Sequence, residues 1–331
     1  MKHRIKYFDG LRGVAILTVL VWHYLYVYGL RNSDFKYIPD FLNNVINLGQ
    51  FGVTAFFLLS GNLIYGSLKN SSGKPNFIIS RLARICVPYW SALFFIVMIM
   101  ATLNDNQYSL EQIISNLFLV QDLLPYEHID GVFWTLVIEV KFYILVGFLG
   151  IKFIESRTKF AMFFFSAICI LASISSYFFS VGLYFKLWSS FSLLFIGLHL
   201  GKVGKADKST FINVLAVSLS YLLLPSNQYG DKLGYSIAIF SAFILFLNKE
   251  KIKFLNNPVV GKFGVVSYSI YLYHQELGYA ILDFSYGYVN PTISIFLTLI
   301  IIFSISSISY ILMERKSSVF FKNKLSLCFS K

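Results

Sequence analysis

Apolar runs long enough to cross a bilayer recur through almost the whole of this chain, and no other feature limits its fold as strongly. A hydrocarbon layer takes roughly 20 mostly apolar residues per helix. Runs of about that length are placed at 11–30, 48–67, 85–103, 133–151, 160–181, 184–201, 210–225, 233–248, 264–284 and 291–313. Inside lipid each backbone amide and carbonyl must find its partner within the protein, so such runs fold as helices. Of the 331 residues, 56% are hydrophobic and 13% are charged, against a charged fraction of about 25% in soluble domains. That much apolar surface cannot be hidden in one core. The expected fold class is all-α: a polytopic membrane protein with about ten transmembrane helices. Residues 1–331 are expected to form a single integral membrane domain, with no additional soluble domain. Several runs are short or contain Ser and Gly, which leaves room for one or two tilted or re-entrant segments.

The net charge of +12 would suggest nucleic acid if the chain were soluble. Here the basic residues sit in short loops between apolar runs, so membrane lipid is the expected partner and nucleic acid is not. Lys2, Arg4 and Lys6 precede the first run. Lys69, Lys74, Arg81 and Arg84 follow the second, and Lys152, Arg157 and Lys159 the fourth. Lys202, Lys205 and Lys208 follow the sixth, Lys249, Lys251, Lys253 and Lys262 the eighth, and Arg315, Lys316, Lys322, Lys324 and Lys331 the last. The alternate loops differ. The third holds Asp105, Glu111, Asp122, Glu127 and Asp130 with no Lys or Arg, and is read as a solvated loop. Basic residues favour the cytoplasmic side, so this alternation predicts a multi-pass inner-membrane protein with both termini in the cytoplasm. The basic start Met1–Lys6 is read as the flank of an uncleaved first span, since Arg12 and the aromatic residues from Trp22 to Tyr28 interrupt a signal-peptide pattern. Cys86, Cys169 and Cys328 are scattered without metal or disulfide spacing, so no metal is expected.

Ionisable residues within the runs are costly in lipid and mark candidate function. Arg12 and His23 are eleven residues apart. At ~100° and ~1.5 Å per residue they return to nearly one helix face, roughly 16 Å apart. That face carries a guanidinium near the cytoplasmic end and an imidazole well inside the bilayer. A packed histidine with a snorkelling arginine would show the same spacing. Glu139 falls at a comparable depth on the fourth run, where a carboxylate would raise the basicity of an imidazole and fix its tautomer. An ion pair of Glu139 with Lys141 is the structural alternative. His274 on the ninth run is either a site residue or a packing histidine. Arg81 and Arg84 share a face at the start of the third run, and their planar forks suit phosphate. They also fit an ordinary positive-inside flank. Pro88 falls near the start of that run, where a helix needs no amide.

The same residues lie in segments that resemble the signature of acyltransferase family 3. The segments, in order, are Phe8-Asp-Gly-Leu-Arg-Gly-Val-Ala15 with His23, Phe56-Phe-Leu-Leu-Ser-Gly61, and Arg81-Leu-Ala-Arg-Ile-Cys-Val-Pro-Tyr-Trp90. Phe133-Trp-Thr-Leu-Val-Ile-Glu139, Ser267-Tyr-Ser-Ile-Tyr-Leu-Tyr-His274 and Tyr310-Ile-Leu-Met-Glu314 complete the set. Asn62, where the family often has an aromatic residue, and Lys316, where it commonly has proline, depart from the pattern. The resemblance implies an O-acyltransferase that moves an acyl group, acetyl as the commonest, from cytosolic acyl-CoA to a hydroxyl. The acceptor would be an extracytoplasmic carbohydrate, free or lipid-linked, such as O-antigen or another surface polysaccharide. Acyl-CoA is then a donor substrate, and no permanently bound cofactor is expected. His23, as general base or acyl carrier, and Glu139 would be catalytic. Arg12, Arg81 and Arg84 would hold the donor's phosphates. Asp9, Ser60, Gly61, Trp134, Tyr271, His274 and Glu314 would support the site. The rival is a transporter of a sugar or lipid-linked glycan with Arg12, His23 and Glu139 along its path. Such a carrier would be built from inverted repeats with broken helices in matching halves.

Overall fold

The computed structural model describes residues 6–103, 108–178, 182–225 and 232–316. Lys2, Arg4, Asp105, Lys322, Lys324, Cys328 and Lys331 lie outside them. The described residues form helices and turns, with one isolated bridge, Tyr286–Val289, and no strand. The principal helices are α1 (Lys6–Trp22), α2 (Leu48–Lys69), α3 (Lys74–Leu103), α4 (Leu110–Leu117), α5 (Trp134–Ser175) and α6 (Gly182–Val203). They continue as α7 (Lys208–Leu222), α8 (Lys232–Leu247), α9 (Pro258–Val265), α10 (Ser267–Tyr273), α11 (Glu276–Ser285) and α12 (Pro291–Ser309). Five helical stretches among the described residues are long and apolar enough to cross a membrane: Lys6–Arg31, Asp40–Lys69, Lys74–Thr102, Gly131–Ser175 and Pro291–Arg315.

Local chemistry sets several of these boundaries. Asn47 accepts from the Gln50 amide at 2.8 Å and starts α2, and Ser109 does the same for Gln112 at 3.1 Å at the start of α4. Asp207 opens α7 with a capping box shared with Thr210, and Asn290 followed by Pro291 opens α12. Each supplies an acceptor to an amide that has none within the first turn.

Three expectations about the spans are corrected. The fourth and fifth runs are not separated by a basic loop, because Lys152, Arg157 and Lys159 are themselves within α5. The interruption is at Gly150, whose φ of 74° and ψ of 169° suit glycine and strain other residues. Next, α3 begins at Lys74, so Pro88 is interior, where its ring removes an amide from the helix ladder. Finally, the ninth run is not continuous. It is broken at Val266 and again at His274–Gln275, between α9, α10 and α11.

The chain divides into two compact units. The first comprises Met1–Ser71 and Leu149–Val265. Its centre is α2, against which α1, α6 and α8 pack, while α9 lies along α1. Small residues permit the closest crossings. A Cβ on Gly61 would stand 2.0 Å from the Leu194 carbonyl oxygen, and one on Gly197 would stand 2.2 Å from that of Leu58. This is the small-residue packing common between membrane helices.

The second unit comprises Ser72–Phe148 and Val266–Lys331. In it α10 and α11 pack on both α3 and α12. The acidic third loop packs one edge against α3, while Glu111, Asp122 and Glu127 stay exposed as expected of a solvated loop. Tyr89 Oη donates to the Asn116 carbonyl at 2.8 Å, and Trp90 Nε1 to that of Leu117 at 2.9 Å. The Tyr89 and Phe133 rings meet edge to face at 4.9 Å. From Trp90 the helix α3 continues to Leu103, a further distance of roughly 20 Å. Asn116, Gln121 and Asp130 are buried accordingly.

Candidate functional site

Arg12 and His23 lie in the first unit. The helix α1 runs without interruption to Trp22, so the eleven-residue step from Arg12 keeps the shared face expected from its length. His23 opens a π-helical turn, His23–Val27, in which its carbonyl accepts from the Tyr28 amide five residues on. A π turn widens a helix locally, and such turns are frequent at functional sites. His23 is buried, and its ring meets the Trp22 indole edge to face at 4.9 Å. Trp22 is fixed in turn by a 2.9 Å hydrogen bond from Nε1 to Asn43 Oδ1. Arg12 Nη1 stands 3.9 Å from Asp9 Oδ1 one turn earlier, and Asp9 is buried.

The glycines of the opening motif have a packing role. A Cβ on Gly10 would lie 1.8 Å from the Leu255 carbonyl oxygen, and one on Gly13 would lie 2.1 Å from that of Val260. Gly264 of α9 abuts α1 in the same way, with its Cβ position 1.7 Å from the Asp9 carbonyl oxygen. The Ser60-Gly61 motif likewise serves the crossing with α6. These close contacts fix the height and rotation of the helix that carries Arg12 and His23.

The remaining expected residues fall in the second unit. Glu139 on α5 accepts a short hydrogen bond from Tyr143 Oη one turn on. The anticipated alternative partner, Lys141, instead binds Asp122 Oδ2 at 3.3 Å, because its side chain points toward the third loop. Burial alone would raise the Asp122 carboxyl, but hydrogen bonding to His128, at 2.9 Å, and the charges of His128 and Lys141 hold it below the usual carboxylate range. Arg81 on α3 lies within electrostatic reach of Tyr143 and Glu139, and Arg84 adds a like charge beside it. Arg81 Nε is buried with no hydrogen-bond partner among the described residues. Arg84 is exposed.

On α10, Tyr268 Oη donates to the Ile85 carbonyl at 2.8 Å and lies within electrostatic reach of both Glu139 and Glu314. Ser269 Oγ donates to Glu314 Oε2 at 3.4 Å. Thr135 Oγ1 donates to Tyr271 Oη at 2.8 Å, and that hydroxyl donates to the Val132 carbonyl at 3.1 Å. Trp134, the first residue of α5, lies between these two. His274 is fully buried at the break in the ninth run, with Nδ1 2.8 Å from the Tyr271 carbonyl oxygen. A carbonyl can only accept, so Nδ1 carries the proton and Nε2 of a neutral ring is the basic nitrogen. The second unit thus contains Arg81, Arg84, Glu139, Trp134, Tyr271, His274 and Glu314, and the first contains Asp9, Arg12, His23, Ser60 and Gly61. His23 and Glu139 fall in different units.

Acyltransferase domains of family 3 share a sequence pattern that matches residues 5–314, nearly the whole chain. The chain belongs to acyltransferase family 3. It is also similar to proteins named as candidate O-acetyltransferases in Staphylococcus aureus strains COL, MSSA476 and MRSA252. Each is 24% identical over 337 residues, covering 85% of this chain and 51% of the relative. The chain therefore spans about half the length of these relatives. No solved structure matches it. Family membership and the long apolar helices together make this a membrane protein.

Two further residues stand out in the structure. Asp130, an acid of the third loop by sequence, is fully buried and accepts from the amides of Val132, at 3.0 Å, and Glu276, at 3.2 Å. Its place just before an apolar helix is a cap position, and that signal was available. His199 on α6 is also buried, with Nε2 3.5 Å from Asp207 Oδ2, which pairs with Lys159 at 2.7 Å. An ionisable residue inside the sixth run was legible by the same rule that singled out His23.

Proposed function

We propose that this chain is a membrane O-acyltransferase that moves an acyl group, acetyl by default, from cytosolic acyl-CoA to a hydroxyl of an extracytoplasmic carbohydrate such as O-antigen or another surface polysaccharide. The family match over residues 5–314 carries the reading, and the buried His23 at the head of a π turn, one helix face above Arg12, supports it. The whole chain takes a ten-span course with both termini in the cytoplasm. The five long stretches, the two arms of α5 counted separately, the shorter helices α6, α7 and α8, and the broken α9–α11 segment supply those ten crossings.

Coenzyme A carries phosphates that cannot enter lipid, and the resemblance assigns Arg12, Arg81 and Arg84 to holding them. The unsatisfied Nε of Arg81 favours that role, since a guanidinium binds phosphate through several donors. The pantetheine arm brings the thioester to His23. The imidazole takes the proton of the acceptor hydroxyl as its oxygen attacks the thioester carbonyl. The tetrahedral intermediate collapses with cleavage of the carbon–sulfur bond, and the imidazolium returns its proton to the departing thiolate. The resemblance gives Glu139 the part of a carboxylate that orients such an imidazole and stabilises its charged form.

Positioned base catalysis contributes roughly 10²–10⁴-fold. His23→Ala should therefore lose transfer of label from acetyl-CoA to membrane glycan by about that factor, with the protein still folded and membrane-inserted. Normal transfer by this variant would remove His23 from the mechanism. A broken helix such as the ninth run is one part of what the carrier reading expects. Uptake of labelled glycan by vesicles in the absence of acetyl-CoA would favour that rival.

A further inference from the structure

The segment Asp130–Phe133 and the break at His274–Gln275 meet within the second unit. Asp130 is 0% exposed, and its two carboxylate oxygens have different partners. Oδ1 accepts from Val132 N at 3.0 Å, in the 3-10 turn Gly131–Phe133 that opens into α5. Oδ2 accepts from Glu276 N at 3.2 Å, the first amide of α11. The residue preceding α11, Gln275, makes no side-chain cap of its own. One carboxylate therefore caps two helix starts that are far apart in the chain. Both bonds run to one short side chain, so the two helix starts cannot separate without breaking one of them.

The neighbouring side chains fit around this link. A Cβ on Gly131 would lie 2.6 Å from Gln275 Nε2, so the absent side chain lets the start of α11 approach. Tyr271 Oη binds the Val132 carbonyl, and the backbone of Tyr271 holds His274 Nδ1. The same junction that Asp130 joins thus carries Tyr271 and His274 on one side and Trp134 and Glu139 on the other.

We propose that Asp130 is a positioning residue for the transfer reaction: by tying the broken ninth run to the first turns of α5, it holds Tyr271 and His274 in register with Trp134 and Glu139. This role rests on the acyltransferase reading above. Asp130→Asn keeps the shape but loses one of the two acceptors, while Asp130→Ala removes both.

The test uses the full chain in lipid nanodiscs and two readouts. Amide exchange is followed in peptides covering 128–136 and 274–283, and acetyl transfer is resolved into kcat and the KM for acetyl-CoA. With Asp130→Ala, exchange should quicken in both peptides together and not in α12. The kcat should fall about 10- to 100-fold, as a misplacement of about 1 Å at a reacting centre does, with donor KM within about two-fold. Asp130→Asn should give a smaller change of the same kind, and it serves alone if the alanine variant does not fold. Exchange rising in only one peptide would reduce Asp130 to a simple cap and overturn the proposal. So would an unchanged kcat with both peptides loosened. Absence of transfer by the unsubstituted chain counts against the acyltransferase reading instead, and the exchange result still judges the tie by itself.

Discussion

Replacing Gly264 by alanine places a methyl group where no reacting atom lies, yet it should nearly silence the protein. The added Cβ would sit 1.7 Å from the Asp9 carbonyl oxygen, a backbone atom that cannot swing aside, whereas real Cβ atoms keep at least 3.0 Å. The helices α9 and α1 must therefore part by about 1.3 Å. Overpacking of this kind costs about 1–3 kcal/mol. The displaced helix carries Arg12 and His23, and a misplacement of about 1 Å at a reacting centre costs about 10²-fold in rate. The control lies one turn away on α9, where a Cβ on Gly261 meets nothing within 4 Å. There alanine should gain up to about 1 kcal/mol of helix stability. Thermal midpoints in detergent and label transfer from acetyl-CoA are measured for both variants. Gly264→Ala should lower both, and Gly261→Ala should raise the midpoint with transfer unchanged. If Gly264→Ala matched Gly261→Ala in midpoint and rate, tight seating of the first helix would have no part in its function.

Two further outcomes follow from the same geometry. Arg12→Lys keeps the positive charge but loses the bidentate fork, so KM for acetyl-CoA should rise about ten-fold, and an unchanged KM would remove Arg12 from the phosphate site. Burial alone would raise the Asp207 carboxyl, but Lys159, the Thr210 hydroxyl and amide, and His199 bring it well below the usual range. Its contribution is thus present above the unfolded value near 4 and is lost as pH falls through the lower folded value. Asp207→Ala should cost about 1 kcal/mol at neutral pH through the lost capping box. The gap between the unfolding midpoints of wild type and variant should close as pH drops from about 5 toward 2. A gap that stayed constant would show that charge on Asp207 contributes nothing.

The helical class was legible because apolar runs of membrane length leave the backbone no other way to satisfy itself. Arg12, His23 and Glu139 were legible because ionisable groups in lipid are conspicuous. The breaks were less so. The run 264–284 carries His274, Gln275 and Glu276 in succession, a polar interruption, but that Asp130 caps the helix start beyond it is a contact that only the packed helices supply. Pro88 looked like an early-turn residue because the charged stretch from Lys74 to Arg84 does not read as membrane helix. Lys141 sits two residues from Glu139, yet a helix turns those two side chains to different faces, and the third loop supplied Asp122 instead.

Composition and spacing thus determined that the chain is helical and membrane-bound, and which residue types stand inside its apolar runs. Tertiary structure alone decided which of them meet across the chain: Arg81 with Glu139 and Tyr143, Tyr271 with Thr135 and Val132, and Glu314 with Ser269. It also decided that Asp130, outwardly an acid in a polar loop, is buried between two helix starts. The physical reason is range. Hydrophobic periodicity is set by neighbours within a few residues, whereas a carboxylate finds its second amide 146 positions away only after the helices have packed.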